Sequence, residues 1–176
     1  MAAWARSGLG ETEEAIALLT YLIDELGRHG MRAWSGHAKF ILADACLRAG
    51  DAARAAQVAS EALEIALSTE DRACAGWAMR CQGQAALALG QLREARECLE
   101  RALQLFEALE APIDCAYCLV ERALVARAEG KAQAAGRDLR RARELFTQCG
   151  VLAPLERIER SSAPARARPS SARSAT

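Results

Sequence analysis

One motif returns every 40 residues along this 176-residue chain, and that period limits the fold more than any other feature. A glycine recurs at Gly10, Gly50, Gly90 and Gly130. Five residues after each stands an alanine: Ala15, Ala55, Ala95 and Ala135. Twelve after it come Leu22, Ala62, Ala102 and Ala142, and sixteen after it Leu26, Ala66, Phe106 and Phe146. A fixed period with a fixed code of small and large residues marks an array of stacked, similar units. Small residues let two helix backbones approach, and a large residue fills the gap between neighbouring pairs. Leucine in place of Ala95 or Ala135 is therefore expected to overpack that contact and cost about 1–3 kcal/mol in a urea-unfolding comparison.

The stretch from Gly90 to Phe106 shows what each unit contains. Leu92, Ala95, Leu99, Ala102, Leu103 and Phe106 fall on one helical face, while Arg93, Glu94, Arg96, Glu97, Glu100 and Arg101 occupy the other. Hydrophobic residues make up 52% of the chain and aromatics only 5%, so the apolar share is mostly alanine and leucine, both strong helix formers. An all-α fold follows. Helices are expected over 31–49, 51–68, 70–89, 91–109, 112–129 and 131–148. Gly30 and Gly150 suit helix C-termini, Ser68 or Thr69 can cap the following helix, and Pro112 suits a first helical turn. Connections this short make neighbouring helices antiparallel.

The expected organisation is an array over 1–160. It comprises an incomplete first repeat (1–30), full repeats over 31–70, 71–110 and 111–150, and a short cap over 151–160. Leu155 and Ile158 would cover the last pair. The stretch 161–176 contains only Ser, Ala, Pro, Arg and Thr, a composition expected to stay disordered. In the first repeat the turn expected at Gly10 leaves only the end of a leading helix, with Trp4 as a short lid. An apolar flank of Ile16, Leu19, Ile23 and Leu26 would then stand uncovered. Arrays need capped ends. This edge is therefore expected to continue into an upstream domain, to self-associate, or to be closed by Trp4.

Gly90/Ala95/Ala102/Leu103, Gly130/Ala135/Ala142 and Gly50-Asp51/Ala55/Ala62/Leu63 resemble the tetratricopeptide repeat (TPR) over about residues 1–150. The usual TPR period is about 34, and the longer unit here looks like the MalT-like TPR regions of large bacterial signalling and transcription-regulatory proteins. Lys39, Met79 and Leu119 replace the consensus Trp of the first helices. The resemblance implies a right-handed superhelical solenoid of about seven helices plus the cap. It also implies a non-catalytic scaffold that binds a peptide or helix in a concave groove lined by the first helix of each pair.

Alignment on the glycines puts His37, Trp77 and Tyr117 at one equivalent position, then Phe40, Arg80 and Val120, then Asp44, Gln84 and Leu124. These side chains either line the groove as anchors or pack between repeats in place of the consensus Trp. Arg80 and Arg127 are candidate contacts for an acidic partner. The Lys/Asn clamp that some TPR proteins use for a terminal carboxylate is absent at the matching places.

Net charge is zero but unevenly placed: −4 over 1–70, −2 over 71–130 and +6 over 131–176. The basic end, with Arg137, Arg140, Arg141 and Arg143, raises the alternative of an Arg-assisted nucleic-acid binder. A solubilising terminus is the plainer reading. Cys115-Ala-Tyr-Cys118 has C-x-x-C spacing but lies inside a helical pattern. No second Cys pair or His pair completes a zinc site. The seven cysteines read as small buried hydrophobes of a reducing compartment. No Gly-x-Ser-x-Gly and no phosphate-cradling loop occurs, and His29 and His37 lack nucleophilic partners at recognisable spacing. Neither a signal-peptide pattern nor an apolar run long enough for a membrane span is present. The expectation is a cytoplasmic protein without cofactor or metal.

Overall fold

The computed structural model describes the backbone of residues 2–151 and the side chains of 12–151. Seven helices follow one another: α1 (Ala2–Arg28), α2 (Arg32–Ala49), α3 (Ala52–Ser68), α4 (Arg72–Ala88), α5 (Leu92–Ala108), α6 (Pro112–Ala128) and α7 (Ala132–Gln148). The cap and tail expected beyond residue 151 lie outside the described residues. Each helix packs against the next in sequence, giving an all-α helical-repeat solenoid. We call α2, α4 and α6 the A helices, and α1, α3, α5 and α7 the B helices. Successive A helices also touch, α2 with α4 and α4 with α6, whereas successive B helices make no comparable contact. The A side is therefore the closer-packed, inner side of the stack.

The true unit is half the sequence period. A left-handed residue closes each helix at 30, 50, 70, 90, 110, 130 and 150. The amide of the next residue then bonds back to the carbonyl five earlier, as Gln91 does to Ala86 and Lys131 to Ala126. This is the Schellman stop, which satisfies carbonyls that the helix end leaves open. Glycine fills five of these sites at no steric cost, but Glu70 and Glu110 hold φ of 55° and 52°. That is why the sequence shows a 40-residue rather than a 20-residue beat. Gly130→Ala, forced to φ 76°, is expected to cost about 1–2 kcal/mol. Gly136→Ala, on a helical backbone with only the end of Arg140 nearby, should gain up to about 1 kcal/mol. Urea titration of the two variants checks the opposite signs.

Helix starts differ from expectation at α4. Ser68 and Thr69 hydroxyls turn back to the Ile65 carbonyl. The cap is Asp71, whose carboxylate accepts from the Cys74 amide, as Asp51 does from Arg54. An acceptor must sit immediately before the first helical residue to reach those amides.

The small and large code is an A-to-B packing rule. Ala55, Ala95 and Ala135 are buried, as are Ala62, Ala102 and Ala142. A Cβ built on Gly76 of α4 would lie 2.7 Å from the Phe106 ring of α5, and one on Gly83 would lie 2.6 Å from Leu99. Met79 and Leu119 are buried where the consensus Trp would stand, and Lys39 pairs with Glu61.

The first repeat departs from expectation. Gly10 is helical and α1 runs straight through it, so no turn separates a leading helix from its partner. Glycine permits a reversal but does not impose one. Here no packed partner helix offsets the cost of breaking α1. The uncovered flank is also different. Ile16, Leu19 and Ile23 pack against the cluster of Leu42, Ala43, Cys46 and Ala59, while Leu18, Tyr21 and Leu22 are exposed.

Candidate functional site

The candidate site is a face of the A helices built from side chains spaced three and four apart. It carries His37, Phe40 and Asp44 on α2, Trp77, Arg80 and Gln84 on α4, and Tyr117, Val120, Leu124 and Arg127 on α6. All but the last two are half-buried; Leu124 and Arg127 are exposed.

The aromatic members do not stand as free anchors. They form a chain across repeats. Rings of His37 and Trp77 meet edge-on at 5.9 Å, Phe40 and Trp77 at 4.9 Å, and Trp77 approaches Phe106 at 6.5 Å. The Trp77 indole N–H donates to Asp114 Oδ1 at 2.9 Å, tying α4 to α6. Tyr117 stacks edge-on against Phe146 at 5.0 Å, and the Arg80 guanidinium lies 5.2 Å above its ring. The aromatic members thus pack between repeats and against the B-helix phenylalanines, while each stays only partly buried.

The polar rungs meet at one buried carboxylate. Glu121, 6% exposed, accepts from Arg80 Nε at 3.1 Å and from the Gln84 amide at the same oxygen. Its Oε2 is buried with no hydrogen-bond partner. Burial pushes the Glu121 carboxyl up from 4.5 to about 7, against the lowering pull of Arg80 and Gln84. Burial works to lower the Arg80 pKa, but Glu121 together with Cys81, Cys118 and Asp44 brings a net rise. Arg80 is thus committed to an internal partner, which sequence reading had left open to an acidic ligand. The signal available was a pair of opposite charges 41 residues apart on one A-helix face.

Five of the seven cysteines are buried as expected, while Cys98 and Cys149 are only half-buried. Cys115 and Cys118 are buried on α6, and burial raises both thiols; Cys74 is pushed up to about 11 and Cys81 to about 12. High thiol pKa values work against redox or metal chemistry at the C-x-x-C spacing. Among the described residues no group of three His, Cys, Asp or Glu side chains is placed to hold a metal.

A feature the sequence did not reveal lies on the opposite side. Between α5 and α7, over α6, is a cleft of about 820 Å³ floored by Leu103, Phe106, Cys115, Leu119 and Leu145. Glu100 and Glu107 stand along α5, Glu110 in the turn after it, and Arg137 and Arg141 along α7. Arg122 is held across its end by two bonds to Asp138, at 2.8 and 2.7 Å. The cleft exists because successive B helices are splayed, a spacing no local pattern encodes.

The tetratricopeptide repeat family profile matches residues 77–109, which take in most of α4, the turn at Gly90 and all of α5. Among solved structures, BtubC (BKLC) from P. vanneervenii is similar, with a TM-score of 0.66 and 19% identity. The likeness covers 95% of this chain and 63% of that one, so this chain spans less than two thirds of its length. At that identity the likeness carries the fold. Comparison with curated protein sequences finds no match.

Proposed function

We propose that this chain is a non-catalytic protein-binding scaffold that docks a peptide or helix of a partner along the inner A-helix face. The observation that carries this is the row of half-buried side chains from His37 to Val120, continued by the exposed Leu124 on α6. Rigid, partly desolvated aromatic side chains fixed by their neighbours bind at low entropic cost. TPR repeats generally mediate protein–protein interaction, and the match at 77–109 supports placing this array among them. The 40-residue unit supports a role as the regulatory or sensory part of a bacterial signalling or transcription-regulatory protein. The buried thiols fit a cytoplasmic setting. No helix among the described residues is long and apolar enough to cross a membrane.

Trp77 and Tyr117 also hold the repeats together, so replacing both tests folding as much as binding. Leu124→Glu separates the two, because this side chain is 38% exposed. Its expected effect is a loss of at least tenfold in partner affinity, measured by calorimetry, with an unchanged urea midpoint. Unchanged affinity would move the site elsewhere.

A further inference from the structure

The aromatic rings of the A helices gather at the end of the array where those helices begin. Trp34 opens the row in the first turn of α2. It holds the position of Cys74 on α4 and Asp114 on α6, which face the preceding A helix. Cys74 is buried, with its sulfur beside Gly36 of α2, and Asp114 accepts from Trp77. No A helix precedes α2 among the described residues, and the Trp34 ring is 63% exposed. Its centroid lies 6.1 Å from that of His37, which in turn meets Trp77. An aromatic surface therefore runs from the open edge of the array across to α4.

Carboxylates border that surface. Asp71 Oδ1 caps α4, while its Oδ2 lies 3.7 Å from His37 Nε2. Asp114 Oδ1 takes the Trp77 indole N–H. Among the described residues these two carboxylates are met by amide, imidazole and indole groups, and neither is paired with a lysine or arginine. The stretches 70–72 and 110–114, where α4 and α6 begin, hold Glu70, Asp71, Glu110 and Asp114 against Arg72 alone. Arg32 of α2 donates instead to the Ser68 hydroxyl, at 3.5 Å.

An exposed π-face beside carboxylates that no cation neutralises selects a cation. A planar guanidinium suits both partners, since it stacks on an indole and forks onto a carboxylate. The same face already holds one such stack, the Arg80 guanidinium 5.2 Å above the Tyr117 ring.

We propose that this end of the inner face binds an arginine side chain of the docked partner. The guanidinium lies on the Trp34 ring, and its charge is offset by Asp71 and, beyond Trp77, by Asp114. The assignment rests on the inner-face docking reading and gives the partner its chemistry. That chemistry is basic here, opposite in sign to the acidic ligand that Arg80 and Arg127 suggest from sequence.

The test is a titration of the nitrogen-15-labelled full chain with the acetylated and amidated pentapeptide Gly-Arg-Gly-Arg-Gly. The Trp34 and Trp77 indole N–H signals should shift saturably. Binding should be about tenfold weaker with neutral citrulline in place of arginine, and weaker also with lysine. Trp34→Leu keeps an apolar side chain but removes the π-face, and Asp71→Asn keeps the cap but removes the charge. Each should weaken the arginine peptide several-fold with unchanged far-UV circular dichroism. Equal affinity for the arginine and citrulline peptides, or a Trp34→Leu chain that binds like the parent, would overturn the proposal. Equal affinity for the lysine peptide would overturn the guanidinium assignment. Replacing Arg166, Arg168 and Arg173 with glutamine should leave the affinity unchanged; a rise would give the site to the chain's own tail instead of a partner. Leu124 lies outside this cluster, so Leu124→Glu tests the docking reading separately. A failed arginine titration beside an intact Leu124 effect would remove this inference alone.

Discussion

Phe106→Ala is expected to lower stability by about 3–5 kcal/mol. Phe106 is 1% exposed and is among the largest fully buried side chains. Its ring presses on Gly76 of α4, contacts Trp77, and belongs to the cluster with Leu103, Cys115, Leu119 and Phe146. Removing it opens a void shared by three helices, which cannot collapse without shifting the repeats. The same geometry predicts a reciprocal effect. Gly76→Ala gains about 1 kcal/mol of helix propensity, but its methyl group meets a ring with no room to move, at a cost of about 1–3 kcal/mol. In a Phe106→Leu background that cost should shrink. A double-mutant cycle in urea reads the coupling, and additive changes would mean the two residues do not touch.

Arg80→Met is expected to cost about 3–5 kcal/mol, because it strands a buried carboxylate without its counter-ion. Glu121 would then keep only Gln84, with Oε2 still unpaired. The loss should depend on pH. Glu121 titrates near 7 in the folded chain against an ordinary 4.5, so the folded state holds its proton more tightly than the unfolded state. Stability from this group is fully present below about 4.5 and is lost as pH rises through about 7, on the order of 3 kcal/mol in all. Without Arg80 the carboxyl rises further, so Arg80→Met should destabilise more at pH 8 than at pH 5. Glu121→Gln should flatten the parent chain's fall over that interval. An Arg80→Met loss independent of pH would remove Glu121 as its cause.

The period and its turns were legible because Gly50, Gly90 and Gly130 carry a conformation other residues resist. Ala55, Ala95 and Ala135 were legible because close helix approach admits little else. The A-helix face followed from counting forward from those glycines. The half-period was hidden, since Glu70 and Glu110 occupy left-handed sites with nothing in their chemistry to announce it. Gly10 misled for the opposite reason: the residue type was right, but a reversal also needs a helix to pack against. Trp77 and Arg80 were visible as positions on the A face, but their partners Asp114 and Glu121 were not. Those pairings depend on the distance between α4 and α6. The α5–α7 cleft depends likewise on the separation of elements 40 residues apart.

The scaffold reading is tested most directly by where a partner touches the array. A photo-reactive benzophenone side chain at Leu124 samples the inner A-helix face, at Gln104 the α5–α7 cleft, and at Glu97 an exposed site on α5. In native cells the account predicts a discrete cross-linked polypeptide from Leu124 and none from Glu97 or Gln104. Products from Gln104 alone would place the partner in the cleft. The same products from all three positions would mean the inner face has no partner of its own.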